Sequence, residues 1–196
     1  MYARLITLFV LASALQGCGY NRIQALDERT EELRSNVEVE LVNRNNLIPN
    51  LVATVQGAAE FERGTFTEVA RARAGLEAAG EQVQRAVEDG SVAALGSADA
   101  ELTRQIGTYI NIAVEAYPQL RATESFQALQ DQLAESENRI SVARRDYNEG
   151  VREYNTYIRQ FPQAVTAKVV GADVKEPFEA PPGSDQTPTV DFSTGA

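Results

Sequence analysis

Six residues spaced seven apart, Phe126, Leu133, Ile140, Tyr147, Tyr154 and Phe161, are all apolar or aromatic. A helix returns to the same face after seven residues, so this repeat predicts one long helix with a coiled-coil-like seam over 125–161. At about 1.5 Å per residue it would be about 55 Å long. The intervening seam positions are Leu129, Ser136, Ala143, Gly150 and Tyr157. Small residues in the middle of that row predict close approach by a neighbouring helix. Phe161-Pro162 predicts the stop, because a residue before proline is pushed out of helical geometry.

A helix of that length must bury its stripe against other helices, and the upstream sequence supplies them. Ile23, Leu26, Thr30, Leu33 and Val37 step by three and four. After the polar break "NRNN", Ile48, Leu51, Val52, Val55, Ala58 and Ala59 open a second apolar face. Pro49 fits the first turn of that helix, with Asn45 or Asn46 as cap. Phe66, Val69, Ala70, Arg73 and Leu76 continue it to Ala79, and "AAGEQVQ" and "EDGS" read as a loose connection. Val92, Leu95, Leu102, Ile106, Tyr109, Ala113 and Val114 mark a third helix ending near Tyr117-Pro118. Thr123 or Ser125 would cap the fourth. Short breaks between long amphipathic helices predict an all-α fold, an antiparallel up-down four-helix bundle. "AVTAKVV" (164–170) reads as a short extended segment. Four of the seven prolines follow Gly171, and the acidic tail 171–196 is expected to be disordered.

The N-terminus predicts an address. Arg4 precedes an uncharged, mostly apolar run from Leu5 to Leu15, and then come Gly17 and Cys18, the single cysteine. The run is about 11 residues, short of the roughly 20 that a spanning helix needs. It reads as a secretory signal, and a cysteine after a small residue resembles the bacterial lipobox, with Leu15 at the −3 position and Gly17 at −1. Gln16 departs from the usual residue at −2. That resemblance implies a signal peptide at 1–17, acylation of Cys18 and a mature helical domain over 18–170. Two or three acyl chains give stable anchoring where one gives marginal binding. Gly19 in place of an aspartate resembles the outer-membrane sorting choice in a host with two membranes. The alternatives are an uncleaved anchor in the inner membrane and an ordinary signal with an incidental cysteine.

Composition excludes several chemistries. The chain has no histidine, which removes the usual general base and metal ligand. A di-iron bundle site needs Glu-x-x-His pairs and cannot be built. No serine has an imidazole to activate it, and no glycine-rich phosphate loop is present. The formal charge is −10, a poor match for nucleic acid or for anionic headgroups. No cofactor and no metal are expected. Glu60, Glu115 and Glu137 flank apolar faces and read as carboxylates paired with arginines. Arg144, Arg145, Arg152 and Arg159 read as a solvated face with pairs such as Arg145 with Glu149.

The segments "RNNLIPNLVATVQGAAEFE" (44–62), "VEAYPQLRATESFQALQDQLAESENRI" (114–140) and "ARRDYNEGVREYNTYIRQFP" (143–162) closely resemble the LemA family of bacterial membrane-associated proteins. The resemblance spans about Tyr20 to Phe178. It implies an antiparallel helical bundle attached to a membrane by its N-terminus and lying outside the cytoplasm. Arg34 stands where the family usually has a tryptophan, and Arg44-Asn45-Asn46 stands where a more basic run is common. Many members carry a plain transmembrane helix instead of a lipobox.

The doubled Tyr-Asn at Tyr147/Asn148 and Tyr154/Asn155 is the candidate interaction stripe. It has two readings: aromatic and amide recognition, or seam tyrosines with asparagines fixing helix register. The functional expectation is a lipid-anchored, non-enzymatic envelope protein on the periplasmic side of a membrane. It would act as an interaction module or adaptor for an unidentified envelope protein. The alternative is a self-associating, membrane-tethered scaffold.

Overall fold

The computed structural model describes residues 2–59 and 67–179; of residues 2–18 and 59 it describes the helical backbone alone. The described residues contain helices and no strand. In chain order these are α1 (Tyr2–Asn45), α2 (Ile48–Ala59), α3 (Thr67–Asp89), α4 (Val92–Ala116), a short 3₁₀ helix (Pro118–Ala122), α5 (Glu124–Arg159) and α6 (Gln163–Val170). An extended strap, residues 172–179, follows α6.

Two long pairs carry the architecture, α1 with α5 and α3 with α4. Arg22 midway along α1 meets Glu153 near the end of α5, and Arg44 at the end of α1 meets Glu137 in the first half of α5, so α1 and α5 run antiparallel. α3 and α4 are joined at Gly90-Ser91 and fold back on each other. Gly90 takes a left-handed φ of 70°, and the Ser91 hydroxyl accepts from the Ala94 N–H as N-cap.

The seven-residue seam is the spine of the core. Phe126, Ile140, Tyr147 and Tyr154 are buried, and Leu133 is partly so. At Gly150 a Cβ would lie 2.7 Å from the Leu33 methyl, so any larger residue here would have to displace the Leu33 side chain of α1. Phe161 leaves the pattern. α5 ends at Arg159, and past the helix the seven-residue rule no longer places side chains, so Phe161 is 86% exposed.

Several boundaries differ from those expected. α1 runs through "NRN" and breaks only at 46–47, and Asn45 is its last residue and not a cap. The helix expected from Ile48 to Ala79 is described over Ile48–Ala59 and Thr67–Asp89, running past Ala79 to Asp89, and residues 60–66, Glu60 among them, lie outside the described residues. "AAGEQVQ" lies inside α3. Gly80 is buried there, where a Cβ would come within 2.6 Å of Asn45 Oδ1, so this glycine serves packing and makes no turn. Thr123 precedes α5, yet its hydroxyl donates back to the Leu120 carbonyl at 2.8 Å and caps nothing. "AVTAKVV" is helical, as α6. Its β-branched residues suit a strand, but Ala167 packs against Ile23, Leu26, Tyr154 and Ile158, and Gly171 closes the helix with a left-handed φ of 69°. The tail expected to be disordered from 171 is held on α5 as far as Phe178, and residues 180–196 lie outside the described residues.

Candidate functional site

The four residues of the stripe converge on the strap. Asn155 Nδ2 donates to the Lys175 carbonyl at 2.8 Å, and the Lys175 N–H donates to Asn155 Oδ1 at 2.9 Å. One helical repeat earlier, Asn148 Nδ2 donates to the Phe178 carbonyl at 3.0 Å, and the Phe178 N–H donates to Asn148 Oδ1 at 2.8 Å. Each primary amide therefore pairs with a peptide group's donor and acceptor as a neighbouring strand would. The two spacings match. Seven helical residues rise about 10.5 Å, and three extended residues span about 10 Å. The strap runs antiparallel to α5 in that register.

The tyrosines read the strap between and beneath those pairs. The Tyr147 hydroxyl donates to the Glu176 carbonyl at 3.0 Å. Its ring meets Phe178 edge-to-face, with centroids 5.2 Å apart. Phe178 is buried, and the Arg144 guanidinium lies 5.3 Å from its ring centre. The Lys175 ammonium sits 5.5 Å from the Tyr154 ring centre and bridges to α1, 3.0 Å from Asp27 and 2.6 Å from Glu31. Burial pulls the Lys175 ammonium down, but its bonds to Glu31 and Asp27 outweigh that and hold it above the ordinary lysine value. The Lys175 hydrogen bond in turn holds the Glu31 carboxyl below its usual range. Burial pushes the Tyr147 and Tyr154 hydroxyls up, so both stay protonated donors.

Beneath Phe178 lies a buried ionic cluster that joins three helices. Asp99 of α4 is 3% exposed and accepts from Arg44 of α1 through one carboxylate oxygen. Arg144 of α5 contacts its other oxygen. Arg44, 2% exposed, also donates to the Asp99 carbonyl at 3.2 Å and to Glu137. Burial presses both guanidinium groups below their ordinary value, and the carboxylates are what make these buried charges tolerable. A cleft of about 710 Å³ opens beside the cluster, between α4 and the strap, with Asp99, Glu137, Arg144, Glu176 and Glu179 on its walls.

The expected site residues thus fall in different places. Tyr147, Asn148, Tyr154 and Asn155 act together, and the amides fix a peptide segment where helix register was one expectation. Glu137 is paired with an arginine, as expected, and Glu115 is exposed. Arg144 departs from the solvated face assigned to it, since it turns inward to Asp99 and Phe178. Arg34, at the family's tryptophan position, donates to the Gly90 carbonyl at 2.9 Å and pairs with Glu31 and Glu38, tying α1 to the α3–α4 turn. Cys18 lies among the residues whose side chains are not described.

Sequence reasoning misses Arg44 and Asp99 as a pair, although a signal exists. Asp99 lies on the same face as Leu95, Leu102 and Ile106, and Arg44 shares a face of α1 with Val37 and Leu41. A charge in an apolar register calls for a buried partner of opposite sign. Among the described residues, no group of carboxylates or cysteine is arranged to hold a metal ion, and no helix is long and apolar enough to cross a membrane.

Magnetosome proteins MamQ 2 and MamQ 1 of Paramagnetospirillum magneticum are each 29% identical over 187 residues, covering 87% of this chain and 68% of theirs. Magnetosome protein MamQ of Magnetospirillum gryphiswaldense is 26% identical over the same span. The LemA family model matches residues 33–192, which include α2 to α6, the strap and every residue of the stripe. The chain belongs to the LemA family.

Proposed function

We propose that this chain is a membrane-tethered, non-enzymatic interaction module. In this reading its two antiparallel helix pairs assemble as an up-down four-helix bundle, and α5 is a platform that grips an extended peptide. The observation that carries it is the double engagement of Asn148 and Asn155 with the backbone of Phe178 and Lys175. Backbone pairing gives affinity with little demand on peptide sequence, and the pockets for Lys175 and Phe178 add selectivity. The buried carboxylate of the site, Asp99, is matched to Arg44 and Arg144, and Lys175 to Glu31, which favours a binding role over proton transfer. With the strap seated, the platform is occupied by the chain itself, and a partner would engage the strap's outer edge or displace it.

The tether in this reading is the acylated Cys18, with the bundle on the periplasmic side of the envelope and in the outer membrane where there are two. An uncleaved inner-membrane anchor is the alternative. Cys18→Ser should abolish palmitate labelling and release or misroute the protein, and a variant that still labels and floats with membranes contradicts the lipobox. The MamQ relatives are magnetosome proteins by name, and the role proposed here rests on the stripe and not on that compartment.

A self-associating scaffold is the second reading, favoured by one observation. A shallow groove between α1 and α5 is lined by Leu33, Val39, Val142 and Ala143, and its two valines are half-exposed. Photo-crosslinking residues placed at Thr156, beside the strap, and at Val142 separate the readings in intact cells. One recurrent envelope protein attached at Thr156 supports the adaptor. Self-links at Val142 alone support the scaffold. No protein adduct at either position overturns the interaction module.

A further inference from the structure

We propose that the end of the bundle formed by residues 19–26 of α1, the α5–α6 turn and α6 lies directly on an anionic lipid bilayer. This rests on the reading that the chain is tethered through its N-terminus, and it adds a second, non-covalent membrane contact made by the folded domain.

The first observation is where exposed apolar surface collects. α6 buries Ala167 and turns Val165 and Val169 outward, 58% and 81% exposed. Phe161, in the turn before it, is more exposed still, and Tyr20 of α1 is half-exposed. Of the eight large apolar side chains exposed among the described residues, five (Tyr20, Phe161, Val165, Val169 and Val170) belong to this one end. An exposed apolar cluster of this kind marks an interaction surface. An aromatic at each lip, Tyr20 and Phe161, suits the boundary between headgroups and acyl chains.

The second observation is charge. Residues 19–26 and 154–172 contain Arg22, Arg159 and Lys168 and no carboxylate, in a chain whose formal charge is −10. Glu153, paired with Arg22, and Asp27 and Asp173, which act on Tyr154, are acids that border this end. Arg159 and Lys168 are exposed. The molecule as a whole repels an anionic surface, and this end offers one the side chains of Arg22, Arg159 and Lys168.

The third observation is position. A Cβ on Gly19 would sit 3.5 Å from Thr166 Oγ1 and 3.8 Å from Gln163 Cγ, so α6 lies against the first described side-chain position of α1. The apolar run 5–15 and Cys18 immediately precede that position in sequence. Whether the tether is an acyl chain on Cys18 or the apolar run itself, it brings the bilayer to the end that carries Phe161 and α6. Among the described residues, the opposite end of α5, about 54 Å away, carries no such cluster. α6 thus has the features of a short interfacial helix, with a valine face, a flanking aromatic and basic side chains beside it.

The chain has no tryptophan, so one introduced residue is a clean reporter. The full chain carrying Phe161→Trp is reconstituted into vesicles of phosphatidylethanolamine and phosphatidylglycerol with brominated acyl chains. Gln119→Trp, exposed in the 3₁₀ helix at the far end, is the matched control. The expected result is a blue-shifted emission from the Phe161→Trp reporter that loses most of its intensity to bromine, with the control unquenched. Val165→Glu with Val169→Glu and, separately, Lys168→Glu should each relieve that quenching while the protein still floats with the vesicles. If the protein floats but Phe161→Trp is no more quenched than the control, the tether stands and the α6 contact is overturned. If it does not float, both the tether and the contact fall.

Discussion

The two segments that follow α5 are held in opposite ways. α6 is a regular helix that buries little beyond Ala167, and its outward valines are exposed. The strap has no regular structure, yet it buries Phe178 and has two of its residues paired at both backbone groups. Local regularity is therefore a poor guide to how firmly a segment is fixed. A helix satisfies its own peptide groups and can sit lightly on a surface. An extended segment must find partners for those groups elsewhere, and here α5 provides them.

That comparison can be broken at its base first. Asp99→Ala leaves Arg44 and Arg144 buried without their shared carboxylate, and should lower unfolding stability by about 3–5 kcal/mol. Urea denaturation measures it, and a loss within about 0.5 kcal/mol, typical of surface positions, would mean the cluster is hydrated and not a support for the strap. Tyr154→Ala should also be severe, about 3–5 kcal/mol for a buried aromatic. Tyr154 packs on Ala167 of α6 and lies under Lys175 of the strap, so this variant should loosen both segments together. Melting with the strap intact would separate them.

Asn148→Ala with Asn155→Ala tests the strap alone. Each asparagine makes two hydrogen bonds that are worth about 0.5–1.5 kcal/mol apiece. The strap should become accessible to protease while the helices keep their melting temperature. Equal loss of α6 protection would show that the two segments are one unit.

Acid and alkali should weaken the strap from different sides. Glu31 has a depressed value in the fold, so its contribution is present above the unfolded carboxylate range and is lost as pH falls through the folded value. Lys175 has a raised value, so its contribution is present below the unfolded lysine value and is lost as pH rises through the folded one. The Phe178 amide resonance should therefore hold steady across neutral pH and move toward its unfolded position at both extremes. A transition near neutrality would contradict this pairing. At the bottom of the scale, Val169→Asp should alter stability by less than about 0.5 kcal/mol, because that side chain has nothing to lose inside the fold.

How legible these regions are in the sequence depends on what specifies them. α5 is legible because its seam repeats every seven residues and every repeat reports on the same neighbour. Gly150 is legible for the same reason, since a small residue in the seam implies a close helix. The strap is not. Its prolines and acids match a disordered composition, and what orders it is a match to amides on another segment. Backbone pairing leaves little mark on the side chains of the paired segment. The stripe itself stands out as a repeat, but a repeat on one helix does not say what it faces. α6 reads as extended because valines favour strands in the absence of context, and Ala167 meets its partners only in the fold. Arg44 and Asp99 are legible in principle, as charges in apolar registers of two different helices.

Amide hydrogen exchange of the full chain by NMR tests the central claim most directly. The Lys175 and Phe178 N–H groups donate to Asn155 and Asn148, and no helix or strand ladder protects them. The account predicts slow exchange at these two amides, abolished in the Asn148→Ala, Asn155→Ala variant with the core of α5 unchanged. Exchange at free-peptide rates in the unmodified chain would mean that the stripe does not hold the strap.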